Sequence, residues 1–233
     1  MKIRTIITGS TGMVGEGVLH ICLNSPEVES VLVVNRKPGG IVHPKLTEVI
    51  HKDFMDLSLI EEQLRGYNAC YFCAGVSSVG KKNDEYRKII YDLTLNFAKT
   101  LLRINSKTNS SRAQSRDDTS DMVFCYVSGS GTDSSEKGRL AWARIKGKTE
   151  NDLLKLPFKD AYMFRPGYIE PLKGQKHSYK FYKFFSPIYP VLEKLFPKYV
   201  GTIEELGNSM INVSLNGYNK KVLECEDIRQ TGK

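Results

Sequence analysis

A chain of 233 residues with 40% hydrophobic content is long enough to bury one full α/β core and has the ordinary apolar content of a soluble globular protein. Its net charge of +8 favours anionic ligands such as phosphate-bearing cofactors, and a solvated basic surface accounts for it better than a nucleic-acid footprint. No apolar run reaches bilayer-spanning length and the first residues read as a strand rather than a leader, which points to the cytoplasm.

Residues 3–8, an apolar β-branched run, predict a buried parallel strand. Gly9-Ser10-Thr11-Gly12-Met13-Val14-Gly15 follows, and then Val14, Val18, Leu19 and Cys22 recur at helical spacing. Between a strand and a helix, glycines three apart form a dinucleotide fingerprint. Gly9 permits the tight turn, Gly12 lets the backbone approach a diphosphate, and Gly15 lets the helix pack on the strand. Free N–H groups at the helix start and the helix dipole favour the phosphates.

A second strand over residues 30–35 ends in Asn35-Arg36-Lys37. An acidic residue here would suit the ribose 2′-hydroxyl of NAD. The Arg36 fork, with the added charge of Lys37, suits a 2′-phosphate instead and favours NADP. Residues 46–51 predict a third strand. Asp53-Phe54 follows it, and Asp53 can bond the adenine amino group or cap a helix beginning near Leu57. A fourth strand over residues 69–73 runs into Cys73-Ala74-Gly75, whose small side chains let a ribose and phosphates pass close.

Residues 84–104 follow helical periodicity, and the polar stretch 106–120 reads as a mobile surface loop. A fifth strand over 122–127 leads to Ser128-Gly129-Ser130-Gly131, a helix over about 136–156 carries Trp142 and Lys146, and a sixth strand over 161–164 leads to Arg165-Pro166-Gly167. The alternation implies a doubly wound parallel sheet of order 3-2-1-4-5-6 in one domain over 1–233, with a small C-terminal cap. In the tail, residues 202–215 predict a helix capped by Thr202, and 221–225 a last short strand. Cys70 and Cys73 sit three apart on a strand and face opposite sides, so a redox pair is disfavoured, and the four histidines show no metal-ligand spacing.

These motifs together resemble the short-chain dehydrogenase/reductase superfamily, in its atypical epimerase/dehydratase-like branch. The resemblance implies NADP(H) binding and an oxidoreductase or epimerase-like activity on a small molecule. It also implies a catalytic Tyr-x-x-x-Lys helix with a serine before it. The matching segment is Trp142-Ala143-Arg144-Ile145-Lys146, with Ser128 and Ser130 near the substrate end and Pro166 and Gly167 bordering the carboxamide. Lys146 can hold the nicotinamide ribose. Trp142 stands at the tyrosine position, and an indole N–H donates but does not titrate. The chain therefore reads as an NADP(H) protein without the usual acid/base, or as a non-catalytic NADP(H) binder. Residues 170–200 fall where this branch places its substrate lid. Their aromatics and lysines leave packing, a membrane surface and single-stranded nucleic acid as competing readings, in that order.

Overall fold

A computed structural model describes residues 2–105, 120–176, 189–196 and 198–233. Seven parallel strands form the main sheet: β1 (Ile3–Thr8), β2 (Val28–Asn35), β3 (Leu46–Ile50), β4 (Ala69–Phe72), β5 (Ser120–Val127), β6 (Phe158–Arg165) and β9 (Val222–Glu224). Their order is β3-β2-β1-β4-β5-β6-β9. The expected six-strand order is thus present, and the last short strand extends it beside β6. Two further strands, β7 (Tyr168–Glu170) and β8 (Val200–Thr202), pair separately as part of the cap.

The central strands carry buried apolar residues on both faces because both faces are covered. One face carries Ile7, Val33, Tyr71 and Phe164 against helices α1 (Met13–Asn24), α6 (Ile203–Asn216) and α7 (Cys225–Thr231). The other carries Ile6, Leu32, Phe72 and Phe124 against α3 (Leu93–Asn105) and α4 (Ala141–Leu153). Thr202 caps α6 as expected. Its hydroxyl accepts from Glu205 N at 3.0 Å, and the Glu205 carboxylate accepts from Thr202 N at 2.9 Å.

Several expected boundaries shift. No α-helix follows Leu57; two 3₁₀ turns, Ser58–Ile60 and Glu62–Leu64, bury Ile60 and Leu64 and leave Leu59 83% exposed. Asp56, not Asp53, receives the N–H that starts this segment, from Ser58 at 3.0 Å. The helical run 83–105 is broken into α2 (Asn83–Arg87), a π-helical turn (Lys88–Asp92) and α3. The helix expected from residue 136 starts at Ala141, because Glu136 adopts a left-handed φ of +58° that a helix cannot contain. Ser120 begins β5 rather than ending the polar stretch, whose residues 106–119 lie outside the described residues. So do residues 177–188 of the expected lid, including the aromatic–lysine run. A short helix α5 (Tyr189–Leu195) leads on to β8. No helix among the described residues is long and apolar enough to cross a membrane.

Candidate functional site

The loops after β1, β2 and β4 meet at the carboxyl ends of their strands. Gly9 has a φ of +74°, and a Cβ there would lie 2.7 Å from the Ala74 backbone, so the loops after β1 and β4 touch. A Cβ on Gly15 would fall 2.2 Å from the Gly9 carbonyl oxygen, so α1 begins pressed against the turn. Gly12, the N-cap of α1, differs. Its φ of −111° suits any residue, and its Cβ would meet only the Gly9 oxygen, at 3.4 Å. The space in front of Gly12 and the first N–H groups of α1 is kept clear by the chain. That is what a diphosphate approaching a helix N-terminus requires.

Ser10 and Asn35 brace this loop from below. Buried Ser10 donates its hydroxyl to Asn35 Oδ1 at 2.9 Å, and Asn35 Nδ2 donates to Glu48 Oε1 at 2.7 Å. With the Asn35 side chain turned inward, Arg36 and Lys37 stand exposed at the end of β2. A cavity of about 370 Å³ runs from the glycine loop along the strand ends. Gly9, Thr11, Gly12, Asn35, Arg36, Asp53, Phe54, Cys73, Ala74 and Gly75 all line it. So do Lys52, which follows the strand beside that of Arg36, and Ile89 and Leu93 from the π turn and α3. Phe54 forms a buried wall stacked on Phe97, with centroids 5.8 Å apart, and Asn96 Nδ2 fixes its carbonyl at 3.0 Å. Asp53 is exposed and bonds Met55 N at 2.9 Å. Burial pushes the Cys73 thiol up to about 12, so it meets a ligand as a neutral group.

Ser10, Met13, Val14, Gly15 and Lys37 do not line the cavity. Met13 and Val14 pack into the core beneath the loop. The Met13 carbonyl accepts from the side chain of Gln175, and Glu16 accepts from Lys176 N at 3.0 Å, so the segment after β7 is tied to the start of α1.

A second group of expected residues gathers beyond β5 and β6. Ser130 N donates to Pro166 O at 2.8 Å, and a Cβ on Gly129 would lie 3.7 Å from Lys146 Nζ and 3.9 Å from Pro166 O. The Trp142 ring covers Gly131, whose Cβ would lie 3.3 Å from Trp142 Cη2. Lys146 donates its ammonium to Ser128 O, and burial lowers its pKa while Glu150 partly restores it. Ser130 is exposed, whereas the buried Ser128 hydroxyl donates to the Glu150 carboxylate and lies 3.1 Å from Phe164 O. Gly167 serves packing: its N–H meets Cys225 Sγ at 2.9 Å, and a Cβ would fall 2.1 Å from Tyr199 O.

Beneath this group lies a buried ion pair absent from the sequence reading. Glu150, fully buried, receives both Nε (3.0 Å) and Nη2 of Arg165, which also reaches Glu224 at 3.2 Å. One helical turn beyond Lys146, Glu150 ties α4 to β6 and holds Ser128. The only sequence signal was an acidic residue on the buried stripe of α4, which becomes meaningful once Arg165 is known to lie beside it.

Residues 5–125 match the model of the NAD dependent epimerase/dehydratase family. The chain is 25% identical over 177 residues to "Protein FMP52, mitochondrial" of Meyerozyma guilliermondii, covering 76% of this chain and 69% of that protein. It is 28% identical over 163 residues to the protein of the same name from Debaryomyces hansenii, covering 69% and 64%. The matched stretch thus spans about two thirds of these relatives. In fold the chain resembles a short-chain dehydrogenase of Burkholderia cenocepacia in complex with NADP, with a TM-score of 0.63, 13% identity, and 98% and 92% of the two chains covered. It also resembles a UDP-N-acetylglucosamine 4-epimerase of Methanobrevibacter ruminantium, with a TM-score of 0.62, 14% identity, and 96% and 76% covered. The relatives' names overturn the cytoplasmic expectation, which rested on reading the first residues as a strand rather than a leader.

Proposed function

Because the chain belongs to the NAD-dependent epimerase/dehydratase family, we propose that it binds NADP(H) along its glycine-loop cavity and acts as an oxidoreductase or epimerase-like protein on a small molecule. One observation carries the cofactor preference. The cavity that opens at Gly12 has Arg36 and Lys52 in its lining at the ends of β2 and β3, where an NAD site would place an acid. The α1 N-terminus holds the diphosphate, Arg36 and Lys52 take the 2′-phosphate, and Phe54 and Asp53 border the adenine. Lys146 holds the second ribose, next to Ser130 and Trp142. When bound, the nicotinamide supplies or accepts a hydride. Trp142 N–H can orient a substrate oxygen but cannot exchange a proton with it, and the Ser128 hydroxyl is already given to Glu150. Among the described residues, the exposed Ser130 hydroxyl, which both donates and accepts, can relay a proton to or from water. Trp142 supports a second reading, a non-catalytic NADP(H) binder. The relatives' names support a mitochondrial setting for either.

The test is calorimetric titration of the full chain with NADPH and NADH, followed by NADPH oxidation in cell extract. NADPH is expected to bind more tightly. The Arg36→Ala/Lys52→Ala variant should lose roughly ten- to hundred-fold in NADPH affinity, the ~1.5–3 kcal/mol of a charge-assisted hydrogen bond, and keep its NADH affinity. Oxidation abolished by Lys146→Ala selects the enzyme, and tight binding without oxidation selects the binder. Failure of both nucleotides to bind overturns both readings.

A further inference from the structure

On the far side of the π turn from the nucleotide cavity lies a separate pocket of about 220 Å³, between the α2–π segment and α4. Ile89 and Leu93 face the nucleotide cavity, whereas Arg87 and Tyr91 face this pocket. Arg87 and Lys148 both lie against the Tyr91 ring, each 5.3 Å from its centroid. Arg144 is fixed by donating Nη1 to the carbonyls of Gly138 (2.7 Å) and Arg139 (3.0 Å). Neither arginine pairs with a carboxylate among the described residues.

Both acids at this pocket, Glu136 in its lining and Asp152 behind Tyr91, already have partners. Asp152, under the Tyr91 hydroxyl at 2.7 Å, takes Lys148 at 2.9 Å and Lys155 at 2.8 Å. Glu136 accepts from Asn151 at 2.8 Å and is the one non-glycine residue with positive φ among those described. Backbone strain of this kind collects at functional sites. In the lining itself three cations, Arg87, Arg144 and Lys148, stand against one carboxylate, Glu136, and the excess is presented on planar guanidinium groups from two packed helical segments. A dianionic oxyanion suits that excess better than a monoanion does.

We propose that this pocket binds the phosphate group of a small molecule, with Arg87, Arg144 and Lys148 as its donors and the Tyr91 ring as its wall. The site is independent of the nucleotide cavity and would stand if that cavity proved to hold something else.

The experiment is titration of the ¹⁵N-labelled full chain with inorganic phosphate at mildly alkaline pH, where phosphate is a dianion, with acetate and chloride at matched ionic strength as controls. Phosphate should move the amides of residues 87–92 and 144–148 saturably, and the controls should not. Arg87→Ala, whose side chain is exposed, and Arg87→Ala/Lys148→Ala should weaken those shifts by about ten-fold or more. Arg36→Ala/Lys52→Ala should leave them unchanged. The proposal is overturned by phosphate shifts confined to residues 9–15, by equal shifts with acetate, or by variants that bind as the parent does. It also fails if a dimer, seen by sedimentation, covers the pocket and excludes phosphate.

Discussion

Replacing either of two glycines by alanine should separate stability from binding. At Gly15 the new methyl would lie 2.2 Å from the Gly9 carbonyl oxygen and 2.5 Å from its carbon, both backbone atoms that cannot rotate away. The loop or the helix must move by about an ångström, an overpacking cost of about 1–3 kcal/mol. At Gly12 the methyl meets only that same oxygen at 3.4 Å, and the backbone is already in an extended conformation that alanine adopts. Alanine gains roughly 0.4–1 kcal/mol from a stiffer unfolded chain. It loses a comparable amount as a poorer N-cap, so the net change is within about 1 kcal/mol. The methyl does occupy the space in front of the α1 N-terminus. Gly12→Ala is therefore expected to unfold in urea near the parent midpoint yet lose about ten-fold or more in NADPH affinity by calorimetry, since each ~1.4 kcal/mol is a decade. Gly15→Ala should lose both. A Gly12→Ala variant that binds NADPH as tightly as the parent would refute the assignment of that space to a diphosphate.

Glu150→Gln leaves Arg165 buried with half its pairing gone and should cost about 3–5 kcal/mol in chemical denaturation; a loss under 1 kcal/mol would mean the pair is solvated. At Asp152, burial works to raise the carboxyl, but hydrogen bonds from Lys155, Lys148 and Tyr91 outweigh it and hold it well below its usual 3.8. Its folded-state pKa is depressed, so its contribution is present above that usual value and is lost as the pH falls through the lower folded one. Asp152→Asn should thus destabilise by about 1–3 kcal/mol at neutral pH and progressively less below about pH 4. A pH-independent difference in denaturation midpoint would contradict this. Burial raises the thiols of Cys22, Cys70, Cys73, Cys125 and Cys225, so the native protein should alkylate at neutral pH far more slowly than free cysteine, with mass spectrometry showing no fast phase.

Much of this arrangement was legible because its signals are local. The strand–glycine–helix opening, the small residues after β4 and the Thr202 capping box each lie within a few residues of chain. Their chemistry does not depend on what packs nearby. The parts that were not legible depend on neighbours distant in sequence. Glu150 and Arg165 come together only because α4 packs across the start of the loop after β6. Lys52 joins Arg36 only because β3 lies beside β2 in parallel register. Periodicity also failed where a turn costs the pattern little. Ile90, Leu95, Phe97 and Leu101 stay buried through the π turn, so the apolar stripe survives the extra residue that reorients Ile89 and Tyr91. At Leu57, apolar spacing suggested an α-helix, although Ile60 and Leu64 are buried equally well by two 3₁₀ turns.

The most direct test of the central claim is to add NADPH to the ¹⁵N-labelled protein and read which amides respond. The glycine-loop assignment requires saturable shifts at residues 9–15, 35–37 and 73–76, reduced by Gly12→Ala. Shifts elsewhere alone, or none with the nucleotide at millimolar concentration, would contradict it.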